Sequence, residues 1–143
     1  MKQYTGTIVV NAKSVTRKEY YAFRRWELRE GDNPEDVGYI VEYCDTEAQP
    51  ELTGKANGYI AWAPKNVFEK SYKLTDNYMD RLQIELDELY TRMEKLGNFL
   101  SKPKPENLIE EEWRMLQEQL DTMDKYYNIL TARITVAKTR EQA

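Results

Sequence analysis

The sequence predicts an α+β protein. A small antiparallel β-sheet with short helices spans residues 1–73, and a long antiparallel α-helical hairpin that mediates oligomerisation spans residues 74–143. Three observations predict this arrangement. β-Forming residues concentrate in the first half. Apolar residues in the second half recur at alternating steps of three and four. The segment Lys102-Pro103-Lys104-Pro105 divides that second half into two helices.

Lys2 to Lys13 reads as a strand or hairpin arm, with Ile8-Val9-Val10 at its centre. Thr16 then precedes Arg17-Lys18-Glu19-Tyr20. Thr at the N-cap with Glu three residues on forms a capping box and opens a short helix reaching about Trp26. Asn33-Pro34-Glu35-Asp36 is a turn. Gly38-Tyr39-Ile40-Val41-Glu42-Tyr43 and Asn57-Gly58-Tyr59-Ile60-Ala61-Trp62 are two strands, joined by the polar hairpin loop Asp45 to Ala56. Pro64-Lys65-Asn66-Val67-Phe68 starts a second short helix, with proline at a first-turn position.

In the second half, Met79, Leu82, Leu86, Leu89, Met93, Leu96 and Leu100 mark one face of a helix, which Gly97 and Lys102-Pro103-Lys104-Pro105 end. Asn107 can cap the next helix, whose stripe is Trp113, Leu116, Leu120, Met123, Tyr127, Leu130, Ile134 and Ala137. Two heptad-patterned helices with a short connection form an antiparallel hairpin. Met115, Tyr126, Ile129 and Val136 lie beside the second stripe, and Ile84 and Tyr90 beside the first. One seam cannot bury both sets, so either the β-rich half or another subunit covers the surplus. A helix-mediated oligomer is the expectation.

Composition narrows the chemistry. Of 143 residues, 32% are charged and 41% apolar, as in ordinary water-soluble domains. No run of about 18 apolar residues marks a membrane span, and the first residues lack a signal-peptide core. The single Cys44 excludes an internal disulfide and fits a reducing compartment. A cytoplasmic location without membrane association is therefore expected. There are no histidines, which removes the usual general base, the Ser–His and Cys–His nucleophiles and the commonest metal ligand. No paired carboxylates stand out from surface charge. The expectation is a protein that is not an enzyme and needs no cofactor or metal. Net charge is −4, with 11 basic and 11 acidic residues through Lys73 and 10 basic and 14 acidic after it. Neither half is a duplex nucleic-acid module, while a small anionic ligand held by local cations is compatible.

Two places suit such a ligand. The first joins Arg24, Arg25 and Trp26 with Tyr59, Trp62 and Lys65, where aromatic faces beside cations fit a nucleobase and a phosphate. Alternation puts Tyr59 and Ala61 on one face and Ile60 and Trp62 on the other. Trp62 is expected in the core, which leaves Trp26 as the ligand-stacking tryptophan. The second is the helix–helix connection, Arg92 through Asn107. Lys95, Asn98 and Phe99 end one helix, and Asn107 opens the next, whose free amides suit phosphate. Phe99 and Leu100 are alternatively packing residues under the loop. Arg92, Lys95, Lys102 and Lys104 either attract an anion or offset Glu110-Glu111-Glu112. Arg114, Arg133, Lys138 and Arg140 either reach phosphates or are solvated surface charges.

The segments Lys95-Leu96-x-x-Phe99-Leu100, Leu116-x-x-Gln119-Leu120-x-x-Met123-x-x-Tyr126 and Ile129-Leu130-x-x-Arg133-Ile134 resemble a known hairpin. It is shared by phage anti-CBASS cyclic-oligonucleotide sponges and the first-described Thoeris anti-defence proteins. The first half, on Gly38-Tyr39-Ile40-Val41-Glu42-Tyr43 and Gly58-Tyr59-Ile60-Ala61-Trp62-Ala63-Pro64-Lys65-x-x-Phe68, looks like a domain joined to that hairpin in phage and prophage proteins. A β half followed by the hairpin is more similar to the Thoeris anti-defence type. The resemblance implies sequestration of cyclic ADP-ribose isomers made by TIR-domain enzymes, in an infected bacterial cell. It also implies a separate site for cyclic trinucleotides in some members, and hexamers built from dimers through the helices. Carried residue by residue, it points to Lys95, Phe99 and Arg133. A non-catalytic oligomeric adaptor and an enzyme degrading the signal are the competing readings.

Overall fold

The computed structural model describes residues 1–43 and 59–142. Cys44, the 45–56 segment expected to be a hairpin loop, and Asn57-Gly58 lie outside the described residues. The fold is α+β, in the order β1 (Val10–Thr16), α1 (Arg17–Arg24), β2 (Val37–Tyr43), β3 (Tyr59–Pro64), α2 (Lys65–Ser71), α3 (Tyr78–Leu100) and α4 (Glu110–Gln142). The chain forms two compact units, Met1–Tyr72 and Lys73–Ala143. Among the described residues no helix is long and apolar enough to cross a membrane.

The first unit is an antiparallel sheet of order β1-β2-β3 with a helix on each face. Strand alternation sends Val15, Ile40, Ile60 and Trp62 to one face, where α1 adds Tyr20 and Tyr21. Tyr20, Ile40 and Ile60 form the buried centre of this cluster. On the opposite face Tyr39 stacks on Phe68 at 4.1 Å and Phe68 on Tyr72 at 4.9 Å, which fixes α2. Buried Glu42 accepts a hydrogen bond from Asn11 Nδ2 across β1 and β2 at 3.2 Å.

Thr16 caps α1 as its sequence position predicts, its Oγ1 accepting the Glu19 N–H at 3.2 Å. The helix stops when Arg25 adopts φ 59, ψ 37, and the N–H groups of Arg25 and Trp26 close onto the carbonyls of Ala22 and Tyr21. The turn at Asn33 forms through the Asp36 N–H to the Asn33 carbonyl and the Glu35 N–H to Asn33 Oδ1. Pro64 sits one position before α2, with φ −57.

The first strand departs from expectation. It runs from Val10 to Thr16, while Ile8 and Val9 are exposed and outside it. Its register with β2 runs from Val10↔Tyr43 to Thr16↔Val37.

Gly38 is the tight point of the sheet. A Cβ there would lie 2.5 Å from the Ala63 carbonyl oxygen and 2.5 Å from Trp62 Cζ2. The missing side chain lets the indole fold across the strand.

The second unit is an antiparallel helical hairpin. α3 opens with a reciprocal cap, Asn77 Oδ1 accepting the Asp80 N–H at 2.9 Å and Asp80 Oδ2 accepting the Asn77 N–H at 3.3 Å. The expected stripes meet along the seam. Leu82, Leu89, Leu130 and Ile134 are its buried centre, with Met79, Leu86, Met93, Met123 and Tyr127 packed around them. Tyr90 faces Tyr127 and Phe99 faces Trp113, which sets the antiparallel register.

Two helix ends differ from the sequence reading. Gly97 does not end α3, which continues to Leu100. A Cβ at Gly97 would lie 4.0 Å from a Leu120 methyl, so this glycine belongs to the seam. The stop comes ahead of Pro103, because the residue before a proline is pushed out of helical conformation. Nor does Asn107 cap α4. The Leu108 N–H closes a turn onto the Pro105 carbonyl, the helix begins at Glu110, and Glu112 reaches back to accept the Ile109 N–H at 3.2 Å.

Met115, Tyr126, Ile129 and Val136 of α4 are exposed, and with Thr122 and Arg133 they form a second stripe beside the seam. Tyr90 of α3 is exposed too, while Ile84 is half-buried.

Leu130 has 0% exposure, so Leu130→Ala should lower stability by about 2–5 kcal/mol in urea unfolding. A loss well under 1 kcal/mol would contradict the seam. Gly38→Ala should destabilise by about 1–3 kcal/mol through overpacking, with the thermal midpoint falling accordingly; an unchanged midpoint would show that the indole does not lie across the strand.

Candidate ligand-binding sites

In the first unit, the two tryptophans near the sequence-predicted site take opposite roles. Trp62 packs inward, 5.6 Å from Tyr20, with the Arg17 guanidinium 5.8 Å over its ring. Its indole N–H is buried and has no acceptor among the described residues. Trp26 lies at the C-terminal end of α1 and is 55% exposed. Its ring meets Tyr20 at 5.9 Å and 86° and Tyr21 at 5.9 Å and 78°, both edge-on.

Arg24 binds this cluster together. Its guanidinium lies 5.7 Å from the Tyr20 ring and 5.5 Å from the Trp26 ring. Nε donates to the Tyr20 hydroxyl at 3.2 Å, and a terminal nitrogen donates to the Ile60 carbonyl. The cation expected to meet a ligand is thus engaged inside the unit, tying α1 to β3. Arg25 is exposed, and so is Tyr59, which points to the sheet face opposite Trp62.

Lys65 belongs with Trp62 rather than with Trp26. These two, with Arg17, Asp36, Val37, Pro64 and Asn66, line a cleft of about 330 Å³. Arg17 and Tyr20 were not legible as site residues. Arg17 donates to Asp36 Oδ2 through Nε at 3.2 Å and through a terminal nitrogen at 3.1 Å, and lies 3.7 Å from Asp32. Asp32 in turn accepts the Arg29 N–H and the Tyr21 hydroxyl, each at 3.1 Å. The Arg29 N–H is the largest cause holding the Asp32 carboxyl below the usual range, with Tyr21 and Arg17 adding to it. This network fastens the segment after α1 to the helix start.

In the second unit, the predicted residues separate into two ends. Phe99 contacts Trp113 at 5.7 Å beside the connection, as a half-exposed pair. Arg92, Lys95 and Asn98 are exposed on the last turns of α3. Asn107 lies in the turn ahead of α4, and Glu112 accepts the Ile109 N–H just before the helix. Lys104 leaves the expected cation cluster, because its ammonium donates to the Leu108 carbonyl at 2.6 Å and lies 3.8 Å from Glu110. A cleft of about 630 Å³ follows the first turns of α4, lined by Glu110, Glu111, Trp113, Arg114 and Gln117.

Arg133 stands at the other end. It donates to the Tyr78 hydroxyl at 2.7 Å and lies 5.8 Å from that ring. It follows Trp113 by twenty residues, about 30 Å along the axis at roughly 1.5 Å per residue. Lys95 and Phe99 therefore do not share a pocket with Arg133 within one hairpin.

Residues 76–136 match the family model described as Sequestin. The matched stretch begins just before the Asn77 cap and ends in α4 at Val136, so it takes in the seam, the connection and both end clusters. The description is compatible with sequestering a bound molecule. Comparison with curated proteins and with solved structures gives no match. Among the described residues, no group of three or more acidic or cysteine side chains is placed to hold a metal ion.

The contrast between the tryptophans is testable by urea unfolding. Trp62→Ala should lower stability by about 3–5 kcal/mol. Trp26→Ala should lower it by no more than about 2 kcal/mol, because the exposed ring contributes mainly its edge contacts. Equal losses would contradict the assignment of Trp62 to the core and Trp26 to the surface.

Proposed function

We propose that the protein is a non-catalytic sponge. It binds a small cyclic nucleotide-derived signal and keeps it below the concentration that its effector senses. A cyclic ADP-ribose isomer is the first choice of ligand and a cyclic trinucleotide the second. The observation that carries this reading is the Sequestin match over a hairpin whose seam is satisfied internally while cations and aromatic rings stand outside it. Lys95, Arg92 and the Phe99–Trp113 pair serve one end, and Arg133 on Tyr78 serves the other. Separation of about 30 Å fits two kinds of site, each completed by a second subunit.

The uncovered stripe on α4 supplies the surface for that assembly, and a hexamer built from dimers is the expected form. Sequestration without turnover has to match the signal molecule for molecule. Nanomolar affinity, roughly −12 kcal/mol, is then required, and enclosure between subunits by charged and aromatic groups provides it. The chain has no histidine, so cleavage would depend on carboxylate or tyrosine chemistry. The same stripe also favours a second reading, an oligomeric adaptor that uses the hairpin only to assemble.

A ligand panel separates these readings. Held at a hundredfold its dissociation constant, the right compound should stabilise the protein by about 2.7 kcal/mol, and denaturation should then release it intact. Release of a cleaved product would make the protein an enzyme, and a panel without any binder would leave the adaptor. Lys95→Glu should abolish one ligand class while folding and oligomer size stay as in the parent, since an exposed lysine adds little stability. Unchanged binding of every compound by this variant would remove the connection from the site.

A further inference from the structure

We infer that Trp26 and Arg25 form a base-and-phosphate subsite on the β-rich unit. The inference rests on the sponge reading and places a subsite on a unit that the Sequestin match does not cover.

Trp26 is an exposed ring that the protein has immobilised. Two tyrosines hold it by near-perpendicular edge contacts, and Arg24 lies against it at 5.5 Å. Arg24 is itself fixed by the Tyr20 hydroxyl and the Ile60 carbonyl. The Trp26 N–H is bonded to the Tyr21 carbonyl at 2.9 Å, so the backbone beneath the ring is fixed as well. A large aromatic side chain held this way loses little further freedom when a planar group stacks on it. Stacking on indole accepts any nucleobase, because every base has a π-face.

Arg25 provides the independent observation. Among the described residues it is the sole non-glycine with positive φ, at 59°. It occupies the helix-ending position where glycine is the usual residue, and a side chain there meets a steric penalty that glycine avoids. Its guanidinium has no hydrogen bond or ion pair among the described residues, and the residue is exposed. The fold therefore gains nothing visible from an arginine at its most strained backbone position. Strain kept without structural return points to a role in binding. The side chain is anchored about 3.8 Å along the backbone from Trp26, within reach of a phosphate joined to a base on that ring. An exposed aromatic plane and an unengaged cation on adjacent residues supply the chemistry of a purine nucleotide subsite.

The test uses the full chain with cyclic ADP-ribose and a cyclic tri-adenylate, followed by calorimetry and thermal unfolding. For whichever compound the parent binds, Trp26→Ala should weaken binding about ten- to hundredfold, and Trp26→Phe should restore most of it. Arg25→Gly should raise the unfolding midpoint, because glycine accepts the left-handed backbone, yet weaken binding about tenfold. Parent-like affinity in both Trp26→Ala and Arg25→Gly would overturn the subsite and leave the sponge reading standing. A change of oligomer size in Trp26→Ala would overturn it by making the ring a subunit contact. If the parent binds neither these two compounds nor any other cyclic ADP-ribose isomer or cyclic trinucleotide, the sponge reading falls and the subsite with it.

Discussion

The C-terminal unit depends on one constraint: apolar side chains on α3 and α4 must alternate by three and four residues over the same length and in opposite directions. Leu82, Leu89, Leu130 and Ile134 can then interlock, and every polar residue is displaced to the flanks. With the seam complete, the charged side chains that flank it add little to holding the fold. Phe99, Arg92 and Lys95 at one end and Arg133 at the other are carried on rigid helices whose spacing is set by the helical rise. The distance between the two ends is a property of the seam's length, and no side-chain rearrangement within one hairpin closes it.

The N-terminal unit solves a different problem. A three-stranded sheet with two short helices offers little area to bury, and it relies on aromatic residues for most of its core. Tyr20 is the hub, touching Tyr21, Trp26 and Trp62. Gly38 makes room for the Trp62 ring, and Arg24 clamps the hub to β3. The helix on the far side is held by the Tyr39–Phe68–Tyr72 stack, where the Glu69 carboxylate accepts the Tyr39 hydroxyl at 2.9 Å and raises that phenol's pKa.

Features set by local periodicity were legible in the sequence. The two helical stripes, the Thr16 cap, the Asn33 turn and the inward face of Trp62 each follow from residue types at short spacing. Features set by distant partners were not. Ile8 and Val9 are strong β-formers, yet β1 begins at Val10. Arg24 and Lys104 read as available cations, and both are taken up by carbonyls, one thirty-six residues away and one four residues away. Asn107 has the chemistry of a cap and sits too early, because the turn from Pro105 to Leu108 lengthens the connection before the helix can start. A long cation's availability depends on which oxygen the fold brings beside it, and sequence spacing does not carry that information.

The same Lys104 bond bears on how readily the two helices of the hairpin could part. Helix swapping between subunits needs a connection that can straighten into a hinge. Here the connection contains Pro103 and Pro105, and the ammonium between them is fastened to the Leu108 carbonyl and to the start of α4. Straightening would break that fastening and open the aromatic contact of Phe99 with Trp113. The connection thus holds α3 and α4 of one hairpin together from both sides of the turn.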